Sequence, residues 1–303
     1  MKLASVSIDL DEIHHYHAIH GLPEPARGVH AVYDVAMPRA AEWARSLDIP
    51  LTWFAVGRDL ERKENADALR TLAESGHEVG NHSYSHAYDL SCREPDALRE
   101  EIEEGARAVE RVVGKAPQGF RAPGYTVSDE LFAALTELGV GYDSSVFPSP
   151  PYYAAKAAKL FSMRLRGRTS RSVLDTPSVL RAPSRPYRVG KPYWRAGDGM
   201  LELPIQVTPG ARLPFIGTAL VLAGSDGARL LTRTVLGETF VNLELHGLDF
   251  LGVEDDLAEL ALHQPDAKLP LARKLAALTA TVELLREKGA VFTTLAAAAE
   301  AFA

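Results

Sequence analysis

Four short segments of this chain carry side chains whose types and spacing suit a hydrolytic site. Asp9-Leu10-Asp11 sets two carboxylates two residues apart, and in an extended strand both then point to the same side. One suits a metal ligand and the other a base, because like charges this close drive their pKa values apart unless a cation intervenes. In Asn81-His82-Ser83-Tyr84-Ser85-His86 the histidines stand at i and i+4, which on a helical turn brings both imidazoles to one face and one ion. With a carboxylate they make a His₂Asp set, three ligands and an open position, as hydrolytic zinc requires. Arg121 opens Arg121-Ala122-Pro123-Gly124-Tyr125, and a fixed guanidinium orients a carboxylate with bidentate geometry. His246 ends Glu244-Leu245-His246 and suits a general acid, since imidazole titrates near neutral pH. Taken singly, three of the four have a plainer reading: a polar loop start, a Pro-Gly surface turn, a satisfied half-buried histidine.

What lends them weight is position. Strands are expected at Leu3–Leu10, Pro50–Val56, His77–Asn81, Gly119–Ala122 and Val140–Ser144, and the candidates follow their carboxyl ends, where parallel α/β folds collect catalytic groups. Helices are expected at Val35–Leu47, at Asn65–Ser75 before Gly76, at Pro95–Val113 before Gly114, and from the cap Ser128 to Leu138 before Gly139. This strand–helix beat implies a parallel sheet with helices outside it. It fails between Phe147 and Met200, where seven prolines fall, and the segment 148–200 reads as a long excursion within one domain. The excursion shapes a substrate groove, closing the site in cis or reaching a neighbouring subunit of a homo-oligomer. The beat resumes with strand Leu201–Val207, helix Gly227–Leu236, strand Phe240–His246, helix Leu269–Lys288, strand Val291–Thr293 and helix Leu295–Phe302.

Read together and in order, these segments resemble the polysaccharide-deacetylase family (NodB homology, carbohydrate esterase family four). Ile8-Asp9-Leu10-Asp11 is similar to its aspartate-pair motif, His82-Ser83-Tyr84-Ser85-His86 to His-Ser/Thr-x-x-His, and Arg121-Ala122-Pro123-Gly124-Tyr125 to Arg-x-Pro-x-aromatic. Asp143-Ser144-Ser145-Val146-Phe147-Pro148 matches Asp-x-Ser-x-x-Pro, and Leu243-Glu244-Leu245-His246 approximates the final Leu-x-His. The resemblance implies a distorted (β/α)₇ barrel spanning 1–303. It implies Asp11, His82 and His86 as ligands of a divalent ion, zinc by default, and Asp9 as the base for the attacking water. By the same resemblance Arg121 orients Asp9, His246 protonates the leaving amine, the Tyr125 backbone donates to the oxyanion, and Asp143 holds the His246 imidazole. The activity implied is metal-dependent removal of an acetyl or formyl group from an amino sugar or related glycan precursor. Aspartates spaced by Leu10 resemble an intracellular subgroup with a Helicobacter-type peptidoglycan deacetylase homologue, allantoinase-like enzymes, cyclic imidases and lipid-linked amino-sugar deformylases. Ring opening of a cyclic imide or allantoin-type amide is therefore the alternative. A third reading, a metal-binding carbohydrate-binding or structural protein without activity, sits poorly with a full set of base, ligands, arginine and acid.

Bulk properties narrow the partners. A net charge of −7 over 303 residues argues against nucleic acid, which needs a clustered basic face. The one dense basic stretch, Arg164 to Arg171, reads as a solvated loop. No apolar run reaches transmembrane length. The single cysteine, Cys92, excludes an intrachain disulfide and suits a reducing compartment, so a cytoplasmic protein with a small-molecule or glycan substrate is expected. His14, His15, His17 and His20 follow Asp11 directly. A second metal site is open to them without a clean ligand spacing to support it, and three of the four read as exposed loop. A substrate contact by at least one is the alternative, since loops after barrel strands line active sites. Tyr193 and Trp194 either stack on a sugar or anchor the excursion.

Overall fold

The computed structural model describes residues 2–27 and 29–302; positions 1, 28 and 303, which the 1–303 domain expectation includes, lie outside them. The strands are β1 (Lys2–Asp9), β2 (Thr52–Ala55), β3 (Glu78–Asn81), β4 (Gly119–Phe120), β5 (Tyr142–Asp143), β6 (Tyr187–Val189), β7 (Ala196–Glu202), β8 (Phe240–His246) and β9 (Ala290–Phe292). The helices are α1 (Ile13–Ile19), α2 (Met37–Ser46), α3 (Lys63–Glu74), α4 (Pro95–Val113), α5 (Asp129–Glu137), α6 (Pro150–Leu165), α7 (Gly217–Val235), α8 (Ala258–Ala261), α9 (Leu271–Glu287) and α10 (Leu295–Glu300).

One sheet holds all nine strands in the order β6-β7-β5-β4-β3-β2-β1-β8, with β9 pairing the start of β1. Every pairing is parallel except β6 with β7. The sheet curls until 203–207, the continuation of β7, lies between β5 and β8. There Leu203 N–H donates to Asp143 O (2.8 Å), Ile205 N–H to Val146 O (2.9 Å) and Gln206 N–H to Asn242 O (3.1 Å). These irregular bonds close the seam of a single-domain α/β barrel of the distorted (β/α)₇ kind.

Strand alternation divides the residues. The even positions of β1, Ala4, Val6 and Ile8, and the odd ones of β8, Val241, Leu243 and Leu245, join the core between sheet and helices. Each such Val, Ile or Leu contributes roughly 1.5–3 kcal/mol by burial. The other set faces the barrel interior. At its base Leu3, Phe54, Tyr142, Leu203 and Phe240 pack against Leu295 and Ala298 of α10, which plugs that end. Above the plug the interior turns polar, with Ser5, Ser7, Asp9, Asn242 and Glu244 all buried. The inside is tight: a Cβ on Gly80 would stand 2.6 Å from the Phe54 ring.

Sequence and structure part at several elements. The expected loop of histidines is α1, N-capped by Glu12, whose carboxylate accepts from Ile13 N–H (3.4 Å), and His15, His17 and His20 are buried rather than exposed. The excursion contains α6: Pro150 and Pro151 start the helix instead of breaking it, since the first turn has no bond for a proline to lose. The rest of the excursion holds β6 and the first part of β7, an antiparallel ribbon at the sheet edge. Arg164 falls on α6 and only Arg166 onward is loop. The helix expected at Gly227–Leu236 begins ten residues earlier, at Gly217, and kinks at Gly224, where φ is 70°. As the glycine caps predict, α4 ends at Gly114 in the left-handed region (φ 81°).

Candidate active site

β1 delivers Asp9 and, two residues on, Asp11 to the top of the barrel, while Leu10 turns into the core. β3 ends at Asn81 and leads to His82 and His86. The two histidines do not share a helical turn. They converge because Ser83 (φ 62°) and His86 (φ 55°) take left-handed backbone conformations, each costing about 1–3 kcal/mol in a residue with a Cβ. The surroundings enforce this strain. Gly57 N–H donates to Ser83 O (3.0 Å), Tyr84 N–H to Glu101 O of α4 (3.1 Å), and Ser85 N–H to the Glu101 carboxylate (2.9 Å).

His82 Nδ1–H donates to Arg121 O at 2.7 Å, which leaves the Nε2 lone pair free, the tautomer a metal-ligating histidine needs. That Nε2 is 3.2 Å from Asp11 Oδ1, and His86 Nε2 is 3.0 Å from the same oxygen. The three ligand atoms lie within 4.8 Å of one another, and Asp11 Oδ1 and His86 Nε2 are buried without a hydrogen-bond partner. Two imidazole nitrogens and one carboxylate oxygen, converging without hydrogen bonds, fit a divalent ion.

Beneath this cluster Arg121 is fully buried. It donates to Asp9 Oδ1 (2.7 Å), Ser7 Oγ (2.8 Å), Ser144 Oγ (2.8 Å) and Ser144 O (2.8 Å), and its guanidinium lies 4.3 Å from the Phe54 ring centroid. Across the barrel His246 Nδ1 sits 2.9 Å from Glu244 Oε1, its Nε2 4.0 Å from Asp11 Oδ2 and 3.3 Å from the Tyr125 hydroxyl. Asp249 Oδ2 accepts from His246 N–H (2.9 Å) and fixes the turn that follows.

Two expected roles need correction. Asp143 does not hold the His246 imidazole. Its carboxylate accepts from Ser145 N–H (3.0 Å) and Oγ (2.7 Å), and it stands opposite Glu202 in the β5–β7 register. Asp143 thus buttresses the turn that carries Ser144, the anchor of Arg121, while Glu244 holds His246. Strand alternation puts Glu244 on the same face as His246, a signal present in the sequence. The second correction concerns Tyr125 (φ 60°), whose N–H is already engaged by Ala122 O (3.1 Å), while its hydroxyl is the group that faces the site. Tyr193 and Trp194 lie away from the site, Tyr193 packing against Phe132 as an anchor of the excursion.

Electrostatics sort these groups. Burial raises the Asp9 carboxyl against the pull of Arg121 and His82. For Asp11 burial acts upward, but His86 and His82 overcome it and hold the carboxyl well below its usual range. Burial works against a charged His246, yet Glu244 raises that imidazole well above its ordinary value. Burial, then the Asp143 charge, raises the Glu202 carboxyl well above its ordinary value.

These groups floor a cavity of about 440 Å³. Its walls are mostly apolar, with Ile19 of α1, Ile216, Leu222 of α7 and Leu248 among them, and the excursion adds Tyr152 and Lys156 of α6. The Lys156 ammonium donates to Gly124 O (3.0 Å). Tyr16, Glu244, Ser7 and Lys156 received no role in the sequence reading. Neither did Glu101, whose backbone and carboxylate clamp the histidine loop.

Residues 31–142 match the family model described as polysaccharide deacetylase, a span that includes His82, His86 and Arg121. The peptidoglycan deacetylase of Helicobacter pylori is 28% identical over 160 residues, covering 50% of this chain and 52% of its own length. The chain spans about half the length of the curated relatives it matches. A solved Mycobacterium smegmatis structure assigned as a polysaccharide deacetylase aligns with a TM-score of 0.61 at 20% identity, covering 99% of this chain and 90% of that one. The Puue allantoinase aligns equally well, with a TM-score of 0.61, 17% identity and coverage of 98% and 89%. At these identities the two structures speak for the fold. The family model and the relatives' names support the polysaccharide-deacetylase family.

Proposed function

We propose, from the polysaccharide-deacetylase likeness and the geometry of the site, that this chain is a metal-dependent hydrolase removing an acetyl or formyl group from an amino sugar or related glycan precursor. The observation that carries the reading is the convergence of Asp11, His82 and His86 on one point, between an arginine-held carboxylate and an imidazole paired with Glu244. An ion held there, with zinc a good match to His₂Asp, would polarise the acyl oxygen and acidify a nearby water. Asp9 takes the proton of the attacking water. Burial makes Asp9 more basic, which suits that task. Arg121 holds Asp9 Oδ1 and leaves Oδ2 turned toward His82, 3.9 Å from its Nε2. His246, its imidazole made more basic by Glu244, gives a proton to the leaving amine as the carbon–nitrogen bond breaks. The Tyr125 hydroxyl steadies that imidazole and offers a donor toward the substrate.

The cavity supports a second reading of the same chemistry, ring opening of a cyclic amide. A volume of about 440 Å³ with apolar walls suits a compact ring better than an open polymer groove. Among the described residues no helix is long and apolar enough to cross a membrane. We place the protein in the cytoplasm, because its one cysteine, the exposed Cys92, suits a reducing compartment.

The test is metal content of the wild type and His82→Ala, followed by acid release from N-acetyl and N-formyl amino sugars beside a panel of cyclic imides. Metal lost in the variant, with acetate or formate released from one sugar, is the expected result. Turnover of imides alone selects the second reading, and a metal-free active protein refutes both. Asp9→Asn should abolish turnover with metal retained, and His246→Ala should slow it by roughly 10²–10⁴-fold.

A further inference from the structure

Behind His86 stands a second set of donors that no step above employs. We infer that His14, His15 and Asp59 form a second site for a divalent first-row transition ion, distinct from the Asp11–His82–His86 cluster. One ligand atom from each of the three lies within 4.8 Å of the others. His15 and Asp59 side chains are each only 10% exposed, and His15 Nε2 and Asp59 Oδ2 are 3.9 Å apart. That separation is too long for a hydrogen bond. It falls within the span of two ligands that each stand roughly 2.0–2.2 Å from one ion. Both atoms are buried without any hydrogen-bond partner, a state that folded proteins rarely leave uncompensated.

The placement is tertiary. His14 and His15 are neighbours on α1 with ring centroids 4.0 Å apart. Asp59 arrives from the 3-10 turn Gly57–Glu61 after β2, held by Asp59 N–H to Val56 O (3.1 Å) and Asn65 Nδ2–H to Asp59 O (2.8 Å). A cavity of about 740 Å³ gives access; His14, His15 and Asp59 line it, together with the polar residues His30, Arg58 and Arg62. His86 lines this cavity, and its ring centroid is 4.2 Å from that of His15, so the two sites share a wall. An ion here ties α1 to the turn after β2, and α1 carries Tyr16 and Ile19 of the substrate cavity. The second site therefore stiffens the substrate pocket from behind. The inference is independent of the deacylase reading.

The test uses the full chain, stripped with chelator, dialysed against Zn²⁺ or Co²⁺, and assayed by mass spectrometry for metal and by thermal melting. The variants are His82→Ala, Asp59→Asn and the half-buried His14→Gln, the last in case Asp59→Asn folds poorly. Expected are two ions per wild-type chain and one in each variant. In addition, Zn²⁺ should raise the melting temperature of His82→Ala but not of His82→Ala/Asp59→Asn. A single ion that survives His82→Ala and is lost in Asp59→Asn and His14→Gln also upholds this site while removing the other. A single ion lost in His82→Ala overturns the inference, whether or not the other variants lose it too. Two ions retained by both Asp59→Asn and His14→Gln, or no ion in the wild type, overturn it equally.

Discussion

Replacing Arg121 with methionine tests whether the Asp9–Arg121 pair is a coupled buried unit. The guanidinium is fully buried and donates four hydrogen bonds, to Asp9, Ser7 and twice to Ser144, at 2.7–2.8 Å. Methionine keeps apolar contact with Phe54 but strands a buried carboxylate, and breaking such a pair costs about 3–5 kcal/mol. Asp9→Asn keeps an acceptor but leaves the buried guanidinium without its counter-charge, so its cost should likewise be about 3–5 kcal/mol. In the double variant the amide needs no counter-ion, and the loss should be no larger than for Arg121→Met alone. Urea unfolding of the metal-free proteins at pH 7, read at a common slope, measures all three and keeps metal linkage out of the comparison. A coupling energy of about 1.5 kcal/mol or more is expected; additivity within about 0.5 kcal/mol would refute the coupled unit. The pH trend has a defined sign. In Arg121→Met the Asp9 carboxyl, already raised by burial, loses its main counter-charge. Above the unfolded value of 3.8 the folded state then holds the extra proton, so the variant's deficit grows as pH rises and shrinks toward acid.

Other outcomes follow from single contacts. Glu244 raises the His246 imidazole well above its ordinary value, and a general acid is lost as pH rises through its pKa. Glu244→Gln should therefore move the alkaline limb of the rate profile to lower pH while Asp143→Asn leaves it in place, and the reverse pattern would restore Asp143 as the partner. Burial holds Lys156 down at about 8 from 10.5, against the pull of Asp175. That depression corresponds to about 3 kcal/mol, a cost felt in full below pH 8 and relieved as pH rises to 10.5. Lys156→Met should accordingly be more stable than wild type at pH 7, with the gap closing by pH 10.5; a constant gap in denaturant titrations would count against a strained ammonium. Gly80→Ala drives a methyl into the Phe54 ring, 2.6 Å away, and should cost about 1–3 kcal/mol in thermal or chemical unfolding. A neutral result would mean that the barrel interior is slacker than its distances state.

The legible part of this protein is what covalent geometry repeats along the chain. A period of two sends Asp9 and Asp11 to one side of β1 and groups Glu244 with His246 on β8. Glycines at helix ends and Ser128 at a helix start mark boundaries because φ/ψ preference and capping are local. The strand–helix beat implied the parallel sheet for the same reason. What the tertiary structure decided are distances between segments far apart in sequence. The β5–β7 pairing set Asp143 opposite Glu202 and left His246 to Glu244. Packing against α4 and the turn after β2, rather than a helical turn, brought His82 and His86 together. Burial against the barrel made a helix of a histidine-rich stretch whose composition reads as loop, and only there does Asp59 meet His14 and His15. Local propensity amounts to a few tenths of a kcal/mol per residue, whereas closing a barrel buries whole side chains worth several times that. Where the two disagreed, the packing prevailed.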